Sequence, residues 1–134
     1  MIPVRLSLKN FLSYREHVPT LDLEGIHVAC LCGPNGHGKS ALLDAITWAL
    51  WGEARGRRHD DLIYHGERDM QVALEFEARE TQYQVVRRHA RGLSSRQGQS
   101  SLDLLVASGN GFRPISGNSI GETQRQINHL LSMD

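Results

Sequence analysis

Eight consecutive residues carry the most specific chemistry in this sequence: Gly33-Pro34-Asn35-Gly36-His37-Gly38-Lys39-Ser40. They satisfy G-x-x-x-x-G-K-[ST] at every fixed position, a spacing suited to holding a polyphosphate. Glycines let the main chain wrap closely, so that successive N–H groups point at the β-phosphate while the following helix adds its positive end. Asn35, Gly36, His37, Gly38, Lys39, Ser40 and Ala41 are therefore the candidate nucleotide contacts. Lys39 would reach the β- and γ-phosphates as a mobile point charge, and the Ser40 hydroxyl would ligate Mg²⁺. A bland glycine-rich turn is the alternative. The flanks argue against it, because an apolar run at 26–32 enters the loop and a helical pattern leaves it.

Elements must hold that loop in place. Val4 to Lys9 alternates apolar and polar residues and predicts a half-exposed strand, followed by a turn at 10–15 and a second strand at 17–23. The run at 26–32 predicts a third strand, covered on both faces. After Ser40, the residues Leu42, Leu43, Ile46, Ala49 and Leu50 recur at helical spacing, with Gly52 as the stop. Trp48 and Trp51 read as packing residues. Asp44 reads as a helix-surface carboxylate, with a place behind Mg²⁺ as the alternative.

Residues 60–66 suggest a short helical turn ended by Gly66. Met70, Val72, Leu74, Phe76 and Ala78 then alternate cleanly, and 83–89 answers as their partner strand after a turn at Arg79-Glu80. A polar loop at 92–100 leads to a strand at 102–106, and Gly109-Asn110-Gly111 signals a hairpin. Ser119 with Glu122 forms a capping-box pattern that opens a last helix through Ile127, Leu130 and Leu131. A plain nucleotide fold would alternate strands and helices here. The expected architecture is instead an α/β phosphate-binding core decorated by an antiparallel meander.

The totals bound the rest. The 134 residues suit one domain or a piece of one, and fifteen basic against fifteen acidic residues leave no global field to attract nucleic acid. Cys30 and Cys32 fall on one face of a strand and read as buried small residues rather than a disulfide or half a zinc site. The first residues lack a long apolar run, so a cytoplasmic protein with no membrane segment is expected.

Together, Leu8-Lys9-Asn10-Phe11-Leu12-Ser13-Tyr14, the loop 33–40, Ala41-Leu42-Leu43-Asp44-Ala45-Ile46, Leu50-Trp51-Gly52 and Asp61-Leu62-Ile63-Tyr64-His65-Gly66 resemble the amino-terminal lobe of an ABC-type ATPase head. Within that class they resemble the SbcC family of SMC-like DNA double-strand-break repair ATPases. The resemblance is clear over about residues 1–91 and looser beyond. It implies a P-loop NTPase fold with a Walker A core at 1–66, a meander at 69–116 and a final helix at 119–133. It further implies ATP and Mg²⁺ as cofactors and a nuclease of the SbcD type as partner. DNA, a second head and the protein's own carboxyl-terminal lobe would be the other partners.

By the same resemblance, Asn35 would lie near the γ-phosphate and Ser13 of the F-x-S element would border the nucleotide. The family often has Arg or Lys where this chain has Leu12, so Ser13, Tyr14 or Arg15 would have to supply that contact. Arg55-Gly56 resembles the arginine loop of SMC heads, which reaches nucleotide or DNA, although Arg55, Arg57 and Arg58 read equally well as a solvated turn. Arg57, Arg58, Arg87, Arg88 and Arg91 are candidate DNA contacts, since a phosphate backbone demands only charge and reach.

Leu93-Ser94-Ser95-Arg96-Gln97 resembles the ABC signature L-S-G-G-Q by chance, because its middle glycines are absent. No four-residue apolar run ends in Asp-Glu, so the carboxylate that would orient water is missing. Gln124 and Gln126 fall within the last helix pattern and not at a strand-to-loop junction. The chain is thus expected to be half of a head with little turnover alone. Other readings are a RecF, RecN or SMC head, or an ABC transporter nucleotide-binding subunit; Asn35 argues against the transporter. A small P-loop kinase would need a lid and an acceptor site, which the meander does not offer.

Overall fold

A computed structural model of the protein describes residues 1–11, 21–22, 37–52, 62–64, 66–92 and 98–132, with the backbone alone at 21–22 and 37–42. The elements are β1 (Ile2–Lys9), β2 (Leu21–Asp22), α1 (His37–Trp51), β3 (Asp69–Ala78), β4 (Thr81–Ala90), β5 (Gln99–Ser108), β6 (Gly111–Pro114) and α2 (Ile120–Ser132). Among the described residues the strands form one sheet in the order β2-β1-β3-β4-β5-β6, antiparallel at every pairing. The strand expected at 26–32 lies outside the described residues. So does most of the second, of which Leu21 and Asp22 pair with Leu6 and Arg5.

The period-two pattern of each strand sorts its residues onto two faces. Leu6, Leu74, Val85 and Leu104 line up across β1, β3, β4 and β5 on the inner face, with Leu8, Val72, Arg87 and Leu102 in the next row. Phe76 and Tyr83 stack with ring centroids 5.7 Å apart in the row on the other side. Ala45, Trp48, Ala49 and Leu50 of α1 and Ile127 of α2 join those side chains in a single core. The outer face carries Lys9, Gln71, Arg88 and Ser101 in one row and Arg5, Glu75 and Gln84 in another.

Two tight hairpins set the register of the meander. Arg79 and Glu80 join β3 to β4 with φ of 51° and 65°, the doubly left-handed geometry that matches strand twist. Gly109, at φ 58°, supplies the same hand between β5 and β6. Strand β5 begins at Gln99, inside the stretch expected to be loop. The β4 ladder continues to Ala90, and His89 Nδ1 lies 2.7 Å from Ser100 Oγ, so the polar residues 99–101 have partners that hold them in the sheet. Among the described residues no helix is long and apolar enough to cross a membrane.

Candidate functional site

Helix α1 begins at His37, within the phosphate-loop motif. The N–H groups of His37, Gly38, Lys39 and Ser40 are thus those of a first helical turn, which have no intrahelical acceptor. No acidic residue lies in that turn to compete for the positive end of the helix. This arrangement suits a polyphosphate anion, and Lys39 and Ser40 occupy the turn as the motif requires. Ala41 follows one residue on. Ser13, Asn35, Gly36, Arg55, Arg57 and Arg58 lie outside the described residues, as does the signature-like stretch 93–97.

The middle of α1 is covered nearly all round, as an apolar helix must be. Trp48 is fully buried and meets Phe11 at 5.8 Å between ring centroids, whereas Trp51 is 46% exposed. Phe11 follows β1 after a left-handed Asn10 and pairs with Ile63, and the Tyr64 N–H donates to the Asn10 carbonyl at 2.6 Å. Ile63 therefore sits in a bridge to Phe11, and the segment expected to form only a helical turn ties β1 down. Phe11 and Ile63, from two of the stretches that carry the family resemblance, thus meet beside Trp48 in the core. Asp44 is only 2% exposed, which corrects its reading as a surface carboxylate. It belongs to the buried side of α1 with Ala45 and Trp48.

The carboxyl end of α1 is closed by side chains from elsewhere. Gly52, at φ 74°, donates its N–H to the Trp48 carbonyl at 2.7 Å, which is the usual left-handed glycine cap. Arg87 Nε donates to the Ala49 carbonyl at 3.2 Å, and Gln124 Nε2 donates to the Leu50 carbonyl at 2.7 Å. Arg87 also donates to Gln124 Oε1 at 2.5 Å and sets its guanidinium 5.9 Å from the centre of the Trp48 ring. Burial lowers the Arg87 guanidinium to about 10, which leaves it charged at neutral pH.

That geometry removes Arg87 from the candidate DNA contacts. It is 6% exposed, it points inward beneath α1, and its charge is directed at a helix carboxyl end. Arg88, the next residue, faces the opposite side of the sheet. Its Nε donates to Gln71 Oε1 at 2.6 Å and its guanidinium lies 3.6 Å from Asp103. Arg91 Nε donates to the Glu67 carbonyl at 3.2 Å and is exposed. Lys9, Gln71, Arg88 and Ser101, together with Met70 and His89 of the neighbouring row, line a cavity of about 340 Å³ at this end of the sheet. The closing roles of Arg87 and Gln124 were missed at sequence level. The signal for Arg87 was available: it stands in phase with Tyr83, Val85 and His89, hence on the inward face.

The fold and the helix start are those of a P-loop ATPase lobe. A family model described as AAA domain matches residues 5–132, and the chain belongs to that family. The chain is 36% identical, over its full length, to the SbcC subunit of the nuclease SbcCD from Deinococcus radiodurans, of which it spans 15%. Over 65% of its length it is 41% identical to the DNA double-strand break repair Rad50 ATPase of Thermoplasma volcanium, covering 9% of that protein. These likenesses bear out the resemblance to an SbcC-like amino-terminal lobe. Among solved structures, the recombination mediator protein RecF–ATP of the RecFOR pathway superposes with a TM-score of 0.59. That match has 17% identity and covers 89% of this chain and 29% of RecF; it speaks to the fold.

Proposed function

We propose that this chain is the ATP-binding lobe of an SMC-like ATPase that works with a nuclease on DNA double-strand breaks. The observation that carries this reading is the phosphate-loop motif running into the first turn of an α1 that has no acidic residue there. Backbone N–H groups, the Lys39 ammonium and the Ser40 hydroxyl would hold ATP and Mg²⁺. When bound, the ion would supply charge neutralisation for the phosphates. Asn35, Ser13 and Arg55 are the further nucleotide contacts proposed.

Hydrolysis belongs to the whole protein, formed with the carboxyl-terminal lobe and a second head, with an SbcD-type nuclease as partner. The chain taken alone should bind ATP and turn it over no faster than background. Arg88, on the outer side of the sheet, and Arg91, exposed just past the end of β4, are proposed to meet the DNA backbone, joined by Arg57 and Arg58. The test is ATP titration into the full-length protein and its Lys39→Ala variant. Each charge-assisted bond lost is worth about 1.5–3 kcal/mol, so affinity should fall at least tenfold. Equal ATP affinity in both proteins would overturn the reading.

A further inference from the structure

Arg87 is out of place by composition. It occupies an inner-face row otherwise made of Leu8, Val72 and Leu102, and an apolar residue there would avoid the desolvation of a charge. What the guanidinium gains is geometric: one planar group reaches the Ala49 carbonyl, the Trp48 ring and Gln124 Oε1 together. Gln124 uses its other end on the Leu50 carbonyl. The two side chains come from different elements, β4 and α2, and they close adjacent carbonyls of a third. A Cβ placed on Gly52 would come within 3.1 Å of Arg87 Nη1, so the chain leaves the helix hard against this pair.

Helix α1 consequently cannot slide along its axis or turn about it without breaking bonds to β4 and α2. Its other end carries Lys39 and Ser40, about 15 Å away at 1.5 Å per residue. We infer that Arg87 and Gln124 are positioning residues that lock α2 to α1, so that nucleotide binding at the start of α1 and the placement of α2 are mechanically coupled. This rests on the ATP-binding reading above. The coupling is reciprocal: whatever displaces α2 weakens the hold on nucleotide, and nucleotide steadies α2.

The experiment uses the full-length protein and follows amide hydrogen exchange across α2 with and without Mg-ATP, together with ATP affinity. Gln124→Ala is the main variant because Gln124 is only half-buried, so the fold survives its truncation. Arg87→Met is the second, keeping length and apolar bulk, and Arg125→Ala, an exposed neighbour on the same helix, is the control. ATP should slow exchange of the α2 amides at least threefold in wild type and in Arg125→Ala. In Gln124→Ala that protection should vanish and ATP affinity should fall three- to tenfold at a temperature where the variant is fully folded. A purely structural role would lower the melting temperature and leave both readouts alone. Retained protection with affinity within twofold of wild type in Gln124→Ala therefore overturns the inference. So does wild type that binds ATP with no protection of α2. Wild type that fails to bind ATP would bring down the parent reading as well, which separates the two failures.

Discussion

At its carboxyl end α1 has carbonyls at Trp48, Ala49 and Leu50 that each meet a donor from within the chain: the Gly52 N–H, Arg87 and Gln124. At its amino end the N–H groups of His37 to Ser40 belong to a turn with no acidic residue and a glycine-rich lead-in. The same physical problem arises at both ends, since each helix terminus leaves four backbone groups unmatched. One end is solved internally and fixes the helix; the other is suited to an anion from outside. A binding site of this kind needs both, because a loosely held rod could not present Lys39 at a fixed place.

The contrast implies that substitutions at the two ends should register in different measurements. Those near the carboxyl end should cost stability of the protein without ligand. Trp48→Ala should cost most, about 3–5 kcal/mol, because it empties the contact with Phe11 and uncovers Arg87. Urea denaturation without nucleotide would read this directly. A loss below about 1 kcal/mol would mean that the carboxyl end is not what holds α1. Gly52→Ala comes next. A residue with a Cβ at φ 74° costs about 1–2 kcal/mol, and this Cβ would also crowd Arg87 Nη1. The same denaturation series would show it. An unchanged midpoint would indicate that the chain leaves the helix by another path.

How much of this was legible depends on what kind of signal each residue sends. The meander was readable because Met70, Val72, Leu74, Phe76 and Ala78 alternate over two full hairpin arms, and burial follows that alternation. The Gly109 turn and the Ser119 cap were readable because few residues do those jobs. The phosphate loop was readable as chemistry even where its placement lies outside the described residues. Arg87 was misread because charge was weighed before phase: Arg87 and Arg88 look alike in sequence, yet one residue of register puts them on opposite faces. Gln124 and Asp44 were illegible for a different reason. The partners of Gln124 and the burial of Asp44 are set by tertiary packing, and helical spacing alone does not say that a glutamine will meet the end of another helix. The extension of β5 back to Gln99 was hidden likewise, since polar residues 99–101 are held by the β4 ladder and not by their own propensity.

The start of α2 gives the comparison its finest test, because there a helix amino end is closed from within. The Glu122 N–H donates to Ser119 Oγ at 3.1 Å, and the Asn118 N–H donates to Glu122 Oε2 at 2.9 Å. The carboxylate thus contributes in two ways, as an acceptor and as a negative charge at the positive end of the helix. Glu122→Gln keeps an acceptor oxygen and removes the charge, so it isolates the second part. The expected loss is about 0.3–1 kcal/mol at low salt, and it should shrink as salt is raised because the exposed charge is screened. Denaturation of both proteins across a salt series would measure it. A loss that persists in high salt would trace to a weaker bond from the Asn118 N–H to a neutral amide oxygen and not to the charge at the helix end. The charge term would then be too small to explain why an acid is present at the start of α2 and absent from the start of α1. The expected salt dependence, in contrast, gives the worth of one carboxylate at a helix start that this chain closes itself. It also sets the scale for the more highly charged triphosphate at the start it leaves without one.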